Sequence, residues 1–125
     1  MLEKWKSVSE RERDVVIAEK VMGWTKIIYD EDSYCGEYCG FEDGNEDDPN
    51  SYWCIPSYTT QIDDAWNVVE KMRKSYYQIN LRESDFGYEC YFYRVPDALK
   101  PRKASIGSSA SEAICLAALV ATTDR

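Results

Sequence analysis

The sequence predicts an α+β fold, a layered α/β/α sandwich in which three helices pack on a small antiparallel sheet. Three observations carry this. Two segments place apolar residues at helical spacing behind recognisable helix starts, and a third near the end is apolar almost all round. Between the second and third of these, two runs alternate strictly between apolar and polar residues, as strands do. The 125 residues suffice for one core, so 1–125 reads as a single domain with an acidic loop inserted at about 30–51.

The first helix begins at Ser9, where Glu12 three residues later completes a capping box. Val15, Ala18 and Met22 form its apolar stripe, flanked by Ile17 and Val21, and Gly23 is placed to end it. Trp24 to Tyr29, rich in β-branched and aromatic residues, reads as a short strand. Asp30 to Ser51 reads as a long polar loop, with Gly36, Gly40, Gly44 and Pro49 along it and a solvated tip at Glu42–Asn50. Thr60 is the expected N-cap of the second helix, with Asp63 and Asp64 in its first turn and Lys71, Arg73 and Lys74 in its last. Its apolar face is read as Ile62, Ala65, Trp66, Val69 and Met72.

A hairpin follows, Tyr77–Arg82 against Tyr88–Tyr93 through a Glu83–Gly87 connection. Tyr91 and Tyr93 should lie on one face of it, and Tyr88 and Phe92 on the other. Ser109 and Glu112 form a second capping box before the apolar Ala113–Ala121 run. The residues expected to be buried are Val15, Ala18, Met22, Trp66, Val69, Ile79, Cys90, Ile114, Leu116 and Leu119.

The net charge is −8, but it is unevenly spread. Between Lys26 and Lys71 there are twelve carboxylates and no cation, whereas Lys71 to Lys103 holds eight basic and four acidic residues. The acidic total excludes broad, non-specific nucleic-acid binding, yet a local basic surface for an anionic ligand remains. No run of about 18 apolar residues is present to span a membrane, and the first residues lack the apolar stretch of a secretory signal. A cytoplasmic location is therefore expected. Five cysteines, an odd number, then read as reduced thiols: Cys90 and Cys115 in apolar runs, with Cys35 and Cys39 in the acidic loop and Cys54 further on as the one cluster.

The chemistry of an enzyme is hard to find. There is no histidine, and no nucleophile elbow, phosphate-binding loop or dinucleotide fingerprint. Cys35-x-x-x-Cys39 with Cys54 offers three thiolates where structural zinc takes four ligands, so the reading is free thiols, with no metal and no cofactor assigned. The Asp43–Asp48 run lacks the glycine and the bidentate glutamate of a calcium loop. The chain is read as a non-enzyme.

Three blocks, taken together, resemble a known family. They are Ala18-Glu19-Lys20-Val21-Met22-Gly23-Trp24, then Pro56-Ser57-Tyr58-Thr59-Thr60 running into Ala65-Trp66-Asn67-Val68-Val69-Glu70-Lys71-Met72, and Ala113-Ile114-Cys115-Leu116-Ala117-Ala118-Leu119. Their order and spacing are similar to those of the phage ABA sandwich domain family, small proteins of bacteriophages and prophages. The resemblance implies the layered fold, a phage origin and the cytoplasm of an infected bacterium. It implies no reaction, and residues 30–51 look like an insertion relative to the family pattern.

Two functions from different classes follow, the first preferred and the second its alternative. In the first, the protein sequesters a nucleotide-type signal of host antiviral defence. Tyr91 and Tyr93 would stack on the base, and Arg82, Arg94, Lys100, Arg102 and Lys103 would hold phosphates. A homo-oligomer with a pocket between copies suits such a binder. In the second, the acidic stretch engages a host protein directly as inhibitor or adaptor.

Overall fold

A computed structural model of the chain describes residues 2–94 and 104–123, with side chains from Trp5 onward. The α+β class is observed: the described residues form three α-helices and two three-stranded antiparallel sheets. The chain divides into two compact units, Glu3–Pro56 and Ser57–Arg125, each with its own sheet.

A 3-10 turn, Leu2–Ser7, precedes α1 (Glu10–Lys20), the helix of the first unit. The Ser9 hydroxyl accepts from the Glu12 N–H, as the capping box requires. Three strands follow, β1 (Thr25–Tyr29), β2 (Tyr38–Phe41) and β3 (Tyr52–Cys54), in the order β1-β2-β3. The expected acidic loop is thus largely structure: β2 is the central strand of this sheet. A bulge between Thr25 and Ile28 shifts the β1–β2 register, with Lys26 at φ +50° inside it. Even the 42–50 tip contains two short 3-10 turns, Glu42–Gly44 and Pro49–Ser51, the second capped by Asp48.

Asp14 is fully buried (0% exposed) on α1. Arg11 meets it at 2.7 Å and donates onward to the Ile55 carbonyl at 2.7 Å and the Pro56 carbonyl at 3.2 Å. One guanidinium therefore fixes both the helix carboxylate and the chain leaving β3.

The second unit contains α2 (Ile62–Lys74), β4 (Gln78–Ser84), β5 (Gly87–Tyr93), β6 (Ser105–Gly107) and α3 (Ala110–Thr123). The sheet order is β4-β5-β6, and β4 and β5 pair from Gln78 opposite Tyr93 to Ser84 opposite Gly87. Both helices line one side: α3 lies on β5 and β6 and against α2. Buried here are Ala65, Val68, Val69 and Met72 of α2, Cys90 and Phe92 of β5, and Ile114, Cys115, Ala118 and Leu119 of α3. The Cys115 thiol donates to the Tyr58 carbonyl at 3.2 Å.

Among the residues expected to be buried, Ala18, Val69, Cys90, Ile114 and Leu119 are. Val15, Met22, Ile79 and Leu116 are half-buried. Trp66 is the clear correction, at 42% exposed. At about 100° per residue, Val68 and Trp66 fall on opposite flanks of α2, and the buried stripe takes Val68. Arg73 instead lies over the Trp66 ring at 5.4 Å. Thr60 is likewise not the N-cap. Gln61 occupies that position without a side-chain bond, and Asp64 accepts from the Ser57 N–H at 2.9 Å. At α3 the Ser109 hydroxyl accepts from the Glu112 N–H at 3.1 Å, while the Glu112 carboxylate reaches the Ser108 N–H at 3.2 Å.

Helix α2 ends in a Schellman arrangement, with Tyr76 N–H donating to the Arg73 carbonyl and Tyr77 N–H to the Met72 carbonyl. The left-handed position is held by Tyr76 (φ +68°), whose side chain is 85% exposed. A side chain there bears steric strain that glycine avoids. Tyr76→Gly should raise stability by about 0.5–1 kcal/mol, seen as a higher urea midpoint with an unchanged slope. A midpoint below that of the parent would refute the assignment of strain. No described helix is long and apolar enough to cross a membrane.

Candidate functional site

The outward face of the second sheet holds three of the sequence-derived ligand residues. Tyr91 and Tyr93 stand two apart on β5 with ring centroids 5.7 Å apart, opposite Asn80 and Gln78 of β4. The Tyr93 hydroxyl bonds Gln78 Oε1 at 3.2 Å. Arg82 shares this face but lies opposite Glu89, whose Oε2 it meets at 2.7 Å from Nη2, so its charge is already paired. Arg94 is not brought to this group. Its Nε donates to the Ser75 carbonyl at 3.2 Å, and its guanidinium lies 4.3 Å from the centroid of Tyr77, which meets buried Phe92 edge-on. Arg94 thus caps the carboxyl end of α2. Lys100, Arg102 and Lys103 lie outside the described residues. Among the described residues, what is assembled is an aromatic–amide surface with one cation, Arg82, paired with Glu89.

The first unit presents a second aromatic surface that the sequence reading passed over. Tyr29 and Tyr38 are directly opposite on β1 and β2, edge to face with centroids 5.1 Å apart. Trp53 lies opposite Gly40, two residues on from Tyr38 and so on the same side of the sheet. Tyr34, in the β1–β2 connection, stacks on Trp53 at 6.0 Å with 19° between planes. Both rings are nevertheless open to solvent, Tyr34 at 92% and Trp53 at 58%. The connection is ordered by Asp30 N–H donating to the Glu37 carbonyl and the Ser33 hydroxyl donating to the Asp30 carbonyl at 2.7 Å. These rings sit in the stretch that carries twelve carboxylates and no cation. The available signal was the recurrence of Tyr and Trp in a segment otherwise too polar to need them.

On the other side of this sheet three sulfurs converge. Cys39 and Cys54 are register partners on β2 and β3, and the β1–β2 connection brings Cys35 back to them. Cys35 and Cys54 are joined as a disulfide, which corrects the expectation of free thiols in an exposed loop. Cys39 stays a free, buried thiol with its Sγ 3.7 Å from that of Cys35 and 3.9 Å from that of Cys54. The three cysteines stand out as a group along the chain, but which two are joined and which is buried depends on the pairing of β2 with β3. Nearby, the Tyr52 hydroxyl donates to Asp30 Oδ2 at 2.7 Å. That bond, with burial and the charge of Asp30, pushes the Tyr52 phenol up to about 12, so it remains a proton donor throughout the neutral range.

The model of the phage ABA sandwich domain matches residues 15–119 of the chain. Among solved structures, a phage protein from Bacillus cereus ATCC 14579 is similar, with a TM-score of 0.60 and 24% identity across 90% of each chain. That likeness is one of fold. No curated protein matches the chain.

Proposed function

The chain belongs to the phage ABA sandwich domain family, and from that premise we propose that it is a non-enzymatic docking protein whose acidic, aromatic surface engages a basic host protein. The observation that carries this is the exposed Tyr34–Trp53 stack within the cation-free stretch. Tyr and Trp are the anchors protein interfaces favour, and surrounding carboxylates steer a basic partner and set its orientation. The absence of histidine supports a role without catalysis, since it removes the usual general base.

The test is capture from host lysate at low salt by the parent chain and by a Tyr34→Ala/Trp53→Ala variant. The reading expects a basic protein held by the parent and released by salt. Its affinity for the variant should fall by about 30-fold or more, the scale of an interface hot spot. Equal capture by both chains would sink it.

A second reading rests on the Tyr91–Tyr93 pair with the flanking Gln78 and Asn80 amides, which suits stacking and edge recognition of a base. Under it the protein sequesters a nucleotide signal. A thermal-shift panel of cyclic and ADP-ribose-type nucleotides separates the two, because only sequestration predicts stabilisation, about 2.7 kcal/mol at a hundredfold excess over Kd.

A further inference from the structure

Cys39 is nearly equidistant from the two sulfurs of the Cys35–Cys54 disulfide, so it stands broadside to that bond rather than in line with it. Thiolate attack on a disulfide proceeds along the S–S axis, and the arrangement is therefore poor for exchange within the trio. It is a good one for a triangle of ligands. Metal–sulfur bonds of about 2.3 Å in tetrahedral or trigonal geometry set sulfur–sulfur edges of about 3.8–4.0 Å. The two edges that Cys39 makes, 3.7 and 3.9 Å, match that range. The three ligand atoms lie within 4.8 Å of one another, and the Cys35 and Cys54 α-carbons, 6.2 Å apart, leave room for the third edge to open.

We propose that Cys35, Cys39 and Cys54, when all are reduced, bind one soft d10 metal ion of the Zn²⁺ or Cu⁺ kind as three thiolates. Soft thiolate sets select such ions over Mg²⁺ or Ca²⁺. Cys39 is buried while Cys35 and Cys54 are half-buried, which leaves the fourth coordination position of Zn²⁺ to water. The carboxylate-rich stretch around the trio raises the local concentration of cations. Disulfide and metal then exclude each other. Reduction by a phosphine and water gives two thiols and the phosphine oxide, and the metal ion displaces one proton from each of the three thiols. This proposal is independent of the docking reading.

The experiment is calorimetric titration of Zn²⁺ into the full chain, oxidised and phosphine-reduced, with circular dichroism alongside. Co²⁺ serves as a spectroscopic probe of thiolate ligation. The reduced chain should bind one equivalent and show thiolate-to-cobalt charge transfer, while the oxidised chain binds none. Cys39→Ser retains the Cys35–Cys54 disulfide and hence the oxidised fold. After reduction it should bind about 100-fold more weakly or worse. If reduction unfolds the first unit, recovery of the fold on adding one equivalent of metal supports the site, and failure to recover overturns it. Binding by the reduced parent that Cys39→Ser leaves unchanged, or no binding by a folded reduced chain, also overturns it.

Discussion

Arg11→Met is expected to destabilise the first unit by about 3–5 kcal/mol, measured by urea unfolding followed through tryptophan fluorescence. Asp14 has no solvent to turn to, and Arg11 lies 2.7 Å from its carboxylate as counter-charge. Methionine keeps most of the side-chain stem but leaves that carboxylate buried without the cation. The same change removes the donors that reach the Ile55 and Pro56 carbonyls, so the end of β3 loses its tie to α1. The mechanism is checked by adding Asp14→Asn to the variant. A neutral amide needs no counter-charge, so the double variant should recover part of the loss. A cost below about 1 kcal/mol for Arg11→Met, the range of exposed pairs, would show that solvent screens this one as well.

The second large effect comes from a single methyl group. A Cβ on Gly107 would sit 2.5 Å from the Ala113 backbone nitrogen and 3.0 Å from the Ala113 Cα. Both are main-chain atoms within α3 and have no rotamer with which to yield. Gly107→Ala must therefore push β6 away from α3, where Ala113 and Ile114 are fully buried. The expected cost is about 3 kcal/mol, the upper range of overpacking, or a fall in Tm on the order of 10 °C. The neighbouring Ser108→Ala, at an exposed position, should leave Tm nearly unchanged and serves as the control. A Gly107→Ala chain that melts with the parent would mean that β6 does not lie so close to the helix.

How much the sequence reveals depends on how far each signal extends along the chain. The helices are legible because caps such as Ser9–Glu12 and Ser109–Glu112 stand before long periodic runs. The β4–β5 hairpin is legible because seven-residue strands give alternation room to repeat. Strands β2, β3 and β6 have three or four residues, too few for a period to emerge from polar surroundings. What depends on them was hidden as well, namely the Cys35–Cys54 pairing that leaves Cys39 buried between them and the Tyr34–Trp53 stack. At the second sheet the alternation rule placed Tyr91 and Tyr93 together. It carries no information on whether a nearby cation is free, and Arg82 has Glu89 while Arg94 has the end of α2. The expected single sheet is two because residues 30–51 supply a central strand, β2, on which β1 and β3 pair.

Among the described residues, two open sheets of three strands have four outer strands where one closed barrel would have none, and each outer strand is a template on which another chain can polymerise. This chain limits that hazard by different means at each. Strands β3 and β6 are too short to nucleate a stack, and β1 is interrupted by its bulge. The seven-residue β4 is long enough to recruit a neighbour, and it carries Arg82 and Glu83 side by side with exposed Gln78 and Asn80. Charge on such a strand opposes edge-to-edge pairing between copies.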